Sequence, residues 1–263
     1  MAPPPDGSVA QRLARMQGVH RPFDLLASAA PSLRERMAQC LGVRLGRAAS
    51  DPRREAWVLI NADLRGLQAR SHSPDRVLLP RRNHNWWEIL LAAARRLGLD
   101  VYPGLSEREV ERLVFDRTAR LLVEGLEAAE REVLDLVARE TPSFTDAFDR
   151  LNLSDDGRAL VLAAFHRIAQ ATPCADAEAV SSSRRSAAYL RAGLERAGVM
   201  PSASRSLRYL RDGLPKAFAA WTAVAAARNL LPRASRPLAL CLAALHLHGA
   251  VTECVEELEA LRL

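Results

Sequence analysis

The sequence is poor in aromatic residues and contains no strand pattern. Aromatic residues make up 5% of its 263 residues, while alanine and leucine are abundant. Because strands favour aromatic and β-branched residues whereas helices favour alanine and leucine, this composition favours helix over sheet. No segment alternates apolar and polar residues as a half-buried strand does. The sequence therefore predicts an all-α protein, an irregular multi-helix bundle.

Motifs that mark common enzyme classes are also missing. There is no GxSxG nucleophile motif, no Walker loop, no dinucleotide fingerprint and no HExxH. The carboxylate pair Asp155-Asp156 begins a predicted helix, where negative charge is stabilising without a ligand. We therefore predict no catalytic residues and no cofactor. The alternative is an enzyme without a recognisable motif, whose site would combine side chains from separate helices: His84, His166, Asp116 and Asp155.

The cysteines do not form a metal-binding pattern. The chain has no CxxC pair among Cys40, Cys174, Cys241 and Cys254, which indicates reduced thiols. Cys241 and His248 share one face of a predicted helix, but His246 and Cys254 point elsewhere. A four-ligand zinc site would need a break at Gly249, so we predict no metal site.

Long apolar runs and a secretory leader are absent as well. No uninterrupted run reaches about 18 apolar residues, which predicts no ordinary membrane-spanning helix. The first residues do not combine a cationic start, an apolar segment and a cleavage site. We expect a cytoplasmic protein, with peripheral membrane attachment as an alternative.

The strongest helix signal lies in residues 83–98. Asn85 is a suitable N-cap, with Glu88 three residues later, and Gly98 is a suitable stop. Apolar side chains cover more than half of the intervening helix, including the adjacent Trp86 and Trp87. An apolar surface this broad is typical of a helix surrounded by neighbours. We therefore predict that this helix lies in the core and that both tryptophans pack there.

Proline, glycine and capping residues divide the rest of the chain. A flexible tail is predicted over 1–20, with a short helix near 8–17. The segment 172–184, with Pro173 and a run of serines, is the predicted linker between an N-terminal helical subdomain at 21–172 and a C-terminal basic and apolar subdomain at 185–263. The helices predicted inside these subdomains span about 23–30, 32–41, 52–69, 86–97, 106–125, 126–139, 154–171, 185–197, 203–212, 216–231 and 237–262.

Positive charge is concentrated in the C-terminal half. The net charge of the chain is +6, but residues 184–236 contain 11 basic and two acidic residues, a net +9. Such density indicates an anionic partner, unless the block is a solvated face or complements the acidic segment 100–158 of the same chain. The predicted partner-binding residues are Arg184, Arg185, Arg205, Arg208, Arg211 and Lys216.

Two kinds of partner fit this basic block. Basic residues beside the apolar helices 216–231 and 237–250 favour an acidic protein partner or an anionic membrane surface. Nucleic acid is the less favoured alternative, because Tyr189 and Tyr209 are the only aromatic residues interleaved with the arginines and stacking needs more.

Five short helical segments stand in a fixed order along the chain, at 24–26, 57–64, 89–97, 109–114 and 127–134. Their order resembles that of a bacterial family of unknown function, the YaaW-like family. The family's Phe-Gly-Gly is replaced here by Leu64-Arg65-Gly66-Leu67, and its glycine-rich C-terminal part is missing. The resemblance brings no catalytic residues and implies a stress-related role. Together these features predict a non-enzymatic helical interaction protein, stress- or defence-related, that docks through its basic C-terminal half.

Overall fold

The computed structural model describes residues 6–46, 51–61, 85–126, 142–171, 203–233 and 235–261, and these residues form ten α-helices and no strand. The helices are α1 Gly7–Met16, α2 His20–Ser28, α3 Pro31–Leu41, α4 Pro52–Leu59, α5 Trp86–Arg96, α6 Glu107–Glu124, α7 Pro142–Arg150, α8 Asp155–Ala171, α9 Ala203–Arg228 and α10 Arg236–Ala260. The predicted all-α multi-helix class is confirmed. The helices predicted at 126–139 and 185–197 and the linker predicted at 172–184 lie outside the described residues.

Local capping explains where several helices begin. The Asn85 side chain accepts a hydrogen bond of 2.9 Å from the Glu88 amide at the start of α5. At the start of α6, the Ser106 amide donates to the Glu109 carboxylate at 2.7 Å, and the Glu109 amide donates to the Ser106 hydroxyl at 3.3 Å. These bonds satisfy amide groups that have no partner within the first helical turn.

The chain divides into two compact units, and each is built from two separate stretches of sequence. The first unit contains residues 1–117 and 231–246, and the second contains residues 118–230 and 247–263. Helices α6 and α10 therefore contribute one part to each unit. The predicted division into subdomains at 172–184 stays a prediction, because that segment is not among the described residues.

In the first unit, α4 packs against α1, α2 and α3. Trp57 and Ile60 on this helical segment are buried. A buried ion pair joins α3 to α4, since Arg34 contacts Glu55, and Arg34 also donates to the carbonyl of Ala29 after the end of α2. One guanidinium thus pairs a buried carboxylate and satisfies a carbonyl at a helix end, which is how a buried charge becomes tolerable.

Helix α1 forms where the sequence predicted a short helix, near 8–17 within the tail assigned to residues 1–20. Ala10 and Ala14 are completely buried, and α1 packs against α2 and α4. The Asp6 side chain caps the helix by accepting a hydrogen bond of 2.9 Å from the Val9 amide. The buried contacts come from alanines, whose small side chains give a weak signal in sequence, so the packing of this helix was not predicted.

Helix α5 occupies the core position predicted for it, but only one of its two tryptophans is fully buried. Trp86, Ile89 and Leu90 are at most 1% exposed. Trp87, one position and about 100° further around the helix, is half-buried. The predicted packing in the core is therefore complete for Trp86 and partial for Trp87.

In the second unit, α9 packs against α7 and α8. An aromatic cluster holds these three helices together. The ring of Phe165 on α8 lies 6.1 Å from that of Phe144 on α7 and 5.1 Å from that of Tyr209 on α9, measured between centroids. Ring pairs at such separations stabilise beyond their burial alone.

Helix α9 is continuous through Gly213-Leu214-Pro215, where the sequence predicted a break between two helices. Proline removes one backbone hydrogen bond and usually kinks or ends a helix. Here Leu210 and Leu214 before the proline and Phe218 and Trp221 after it are all buried. Because residues on both sides are buried, the helix continues through Pro215, so tertiary packing outweighs the local cost of the proline.

Candidate functional site

The predicted basic surface lies on α9, where its described members share one side of the helix. Arg205, Arg208 and Lys216 are exposed, and the Arg211 side chain is 41% exposed. Their spacing of three to eleven residues places Arg205, Arg208 and Lys216 within one narrow sector of the helix. We call Arg205, Arg208, Arg211 and Lys216 the basic face. The other two predicted members, Arg184 and Arg185, lie outside the described residues.

Two members of the basic face have acidic partners within the protein. The Arg208 guanidinium lies 2.7 Å from a Glu259 carboxylate oxygen on α10, and the two side chains are 46% and 53% exposed. Arg211 lies 3.3 Å from the neighbouring Asp212. Exposed pairs of this kind contribute about 0–1 kcal/mol. Arg205 and Lys216 form no ion pair with any described residue, so they carry the unbalanced charge of the face.

The apolar side chains of α9 and α10 are turned away from solvent. Phe218 and Trp221 on α9 are at most 2% exposed, and every residue from Leu238 to Leu245 on α10 is buried. The exposed positions of α9 beyond the basic face are Asp212, Ala223, Ala226, Ala227 and Arg228. The exposed apolar residues among them are alanines, not the bulky apolar side chains that insert into a bilayer.

Within the described part of the chain, α10 alone is long and apolar enough to cross a membrane, judged by length and composition. The sequence contained no uninterrupted apolar run of that length, because His246, His248 and Gly249 lie within the apolar segment. In the structure, 72% of its most apolar window is buried inside the protein. Burial of this kind is typical of a core helix. The length and apolar composition of α10 are therefore only weak evidence for membrane association.

A buried polar cluster in the first unit was not predicted. We call Glu111, Arg21, Trp86 and His246 the Glu111 cluster, and its members come from α6, α2, α5 and α10. The Glu111 side chain is 4% exposed. One Arg21 nitrogen donates to both Glu111 carboxylate oxygens, at 2.6 and 2.7 Å, and the Trp86 indole donates to one of them at 2.7 Å.

The His246 ring completes the surroundings of Glu111. Its Nδ1 lies 4.0 Å from a Glu111 oxygen, which is longer than a hydrogen bond, and its ring centroid lies 5.3 Å from that of Phe115. Arg21 and Trp86 are therefore the donors that satisfy the carboxylate. Burial raises the pKa of Glu111, but the effects of His246, Arg21 and Trp86 together outweigh burial and hold that pKa below its ordinary value.

The geometry of the Glu111 cluster supports a structural role. Its carboxylate is ionised, charge-balanced by Arg21 and enclosed by helices, so it connects four elements of the first unit and needs no ligand. The sequence held one usable signal. Glu111 lies four residues before the buried Phe115 and next to the buried Val110, so it falls on the apolar side of α6, where a carboxylate needs a partner.

Three of the four side chains proposed for an enzyme site are among the described residues. The Asp116 carboxylate lies 3.7 Å from the Arg112 guanidinium on the same helix. Asp155 is exposed at the start of α8, and His166 is buried within α8. His84 lies outside the described residues. An open groove of about 550 Å³ lies in the first unit, and none of the four side chains lines it. Its lining is Asp24, Ala27, Ser28, Asp51, Pro52 and Arg53.

The cysteine and histidine residues of α10 are likewise dispersed. The helix runs without a break through Gly249, and the Cys254 thiol lies 3.7 Å from the Arg150 carbonyl. The Cys241 thiol is buried, and its hydrogen bond lowers the pKa of Cys40. In the described ranges, no three histidine, cysteine or acidic side chains are arranged to hold a metal ion.

The fold and the basic face define an all-helical bundle protein with a cationic surface helix. Comparisons of the chain with protein-family models, with known proteins and with solved structures found no match. The resemblance to the YaaW-like family stays a prediction.

Proposed function

We propose that this chain is a non-enzymatic interaction protein that docks an acidic protein surface onto the basic face of α9. The observation that carries the proposal is the exposure of Arg205, Arg208 and Lys216 on one side of a helix whose opposite side is anchored in the core. A rigid helix presents charges at fixed spacing, which favours recognition of a folded partner. The stress- or defence-related setting implied by the family resemblance remains part of this proposal.

The surroundings of the basic face favour a protein over a membrane. Peripheral membrane binding draws on buried apolar area as well as on charge. C-terminal to Lys216 the exposed apolar residues of α9 are alanines, while Phe218 and Trp221 are buried in the core. An anionic bilayer would therefore be held through charge alone, at about 1 kcal/mol for each basic residue near it.

The environment of Tyr209 disfavours nucleic acid. Its ring packs against Phe165 and Phe144, with centroid separations of 5.1 and 6.4 Å. These contacts commit part of the Tyr209 ring to the protein's own packing, whereas stacking on aromatic side chains provides much of the affinity for single strands. The second interleaved tyrosine, Tyr189, lies outside the described residues.

The proposal is tested by comparing three anionic probes at one salt concentration. Purified protein is titrated with a labelled polyglutamate peptide, with vesicles of phosphatidylcholine and phosphatidylglycerol, and with duplex DNA. We expect saturable binding of polyglutamate that a triple variant, Arg205→Glu, Arg208→Glu and Arg211→Glu, abolishes while its far-UV circular dichroism stays helical.

A matched control separates the basic face from net charge. The variant Arg12→Glu, Arg15→Glu and Arg44→Glu changes three exposed arginines of the first unit and carries the same charge change. It should bind polyglutamate nearly as wild type does. If both triple variants lose polyglutamate binding equally, the interaction depends on net charge and not on the basic face. If the protein binds vesicles or DNA in preference to polyglutamate, the partner belongs to that class and is not an acidic protein.

A further inference from the structure

The ion pair between Arg208 and Glu259 places an acidic segment of the chain on its own basic face. Glu259 is 51 residues away in sequence, on the last turns of α10, and its carboxylate lies 2.7 Å from the Arg208 guanidinium. Both side chains are about half exposed. The same end of α10 carries four glutamates within seven residues: Glu253, Glu256, Glu257 and Glu259.

We infer that Glu259 is an internal competitor for the partner of the basic face, and that this partner presents glutamates from a helix, as the end of α10 does. The inference rests on the proposed function. An arginine that already donates to one carboxylate at 2.7 Å has fewer free donors and less uncompensated charge, so a partner's carboxylate competes with that carboxylate for it. The exposure of both side chains makes that exchange possible without unfolding α10. Docking on Arg205 and Lys216 needs no such exchange.

The expected effect is modest and specific. An exposed ion pair of this geometry corresponds to about a two- to fivefold change in an equilibrium constant. Removing the Glu259 charge should therefore tighten polyglutamate binding by about two- to fivefold. The gain should disappear when Arg208 is also neutralised, because Arg208 is then unable to bind either carboxylate.

The experiment measures polyglutamate affinity for wild type, Glu259→Gln, Glu256→Gln, Arg208→Gln and the double variant Arg208→Gln with Glu259→Gln. Glu256 is exposed on the same helix and forms no ion pair with a described residue, so its substitution reproduces the charge change without freeing Arg208. Repeating the series with a glutamate-rich helical peptide and a scrambled, non-helical peptide of the same composition tests the helical presentation.

The outcomes separate this inference from the proposed function. Tighter binding by Glu259→Gln than by Glu256→Gln, lost in the double variant, supports competition at Arg208. Equal effects of the two glutamate substitutions overturn competition while leaving docking on the basic face intact. If neither wild type nor Glu259→Gln binds polyglutamate, both proposals fail. Equal affinity for the helical and scrambled peptides overturns the helical partner.

Discussion

Truncation of Trp86 probes the core of the first unit most directly. The side chain is 1% exposed, and its indole nitrogen donates to the buried Glu111 carboxylate at 2.7 Å. Replacing a buried tryptophan with alanine costs about 3–5 kcal/mol through lost burial and the cavity that remains. Removing a donor from a buried charged acceptor adds about 1–3 kcal/mol, although the two costs are not independent. Trp86→Ala should therefore remove much of the ~5–15 kcal/mol typical of a folded domain.

Two further substitutions divide this cost between packing and hydrogen bonding. Trp86→Phe keeps a buried aromatic ring but removes the indole donor, so we expect a loss of about 1–3 kcal/mol. Trp87→Ala removes the neighbouring tryptophan, which is half-buried. Because full burial of a large apolar side chain is worth about 1.5–3 kcal/mol, this substitution should cost less than about 2 kcal/mol.

Urea denaturation followed by far-UV circular dichroism gives the free energies of unfolding for all three variants. We expect Trp86→Ala to lose the most free energy of unfolding and Trp86→Phe the next most. Trp87→Ala should lose as much as Trp86→Phe or less. A Trp87→Ala variant less stable than Trp86→Ala would refute the assignment of Trp86 as the core residue. A Trp86→Phe variant as stable as wild type would show that the hydrogen bond to Glu111 contributes nothing.

Two other predictions address packing in the second unit and the charge of Glu111. Gly213→Ala should destabilise the protein by about 1–3 kcal/mol in thermal melts, although alanine has the better helix propensity. The reason is that a Cβ at this position would lie 2.6 Å from the Phe165 ring. The change should be tolerated once Phe165 is replaced by leucine. Because the pKa of Glu111 is lowered in the folded protein, its ionised form stabilises the fold above the unfolded value of about 4.3, and this contribution is lost as pH falls through the folded pKa. Urea unfolding of Glu111→Gln should thus depend less on pH below about 5 than unfolding of wild type, and parallel pH profiles would contradict the ionised, partnered carboxylate.

Helix boundaries were predictable where the signal is local. Asn85 and the Ser106–Glu109 box start their helices through bonds to residues three positions away, and Gly42 ends α3 in the left-handed conformation with a φ of 74°. Such interactions depend on a few adjacent residues, so they can be read from the sequence before any tertiary structure is known.

Features that depend on distant residues were missed or mispredicted. Glu111 is buried because Arg21, 90 residues earlier, supplies its counter-charge, and nothing near either residue in sequence indicates the pair. Pro215 reads as a helix break locally, yet buried leucines and aromatics on both sides keep α9 continuous. In both cases the free energy of long-range packing outweighs the local preference.

For the basic face, a count of charges along the sequence indicates the region but not the arrangement of its side chains. A net +9 over residues 184–236 drew attention to α9, but summation along the sequence treats every arginine alike. In the structure Arg208 pairs with Glu259 and Arg211 lies beside Asp212. Within the basic face, Arg205 and Lys216 are the members without an acidic partner among the described residues. The strength of the proposed docking therefore depends on how readily the internal carboxylates are exchanged. The ease of this exchange depends on side-chain geometry, so it cannot be obtained from the net charge of the sequence.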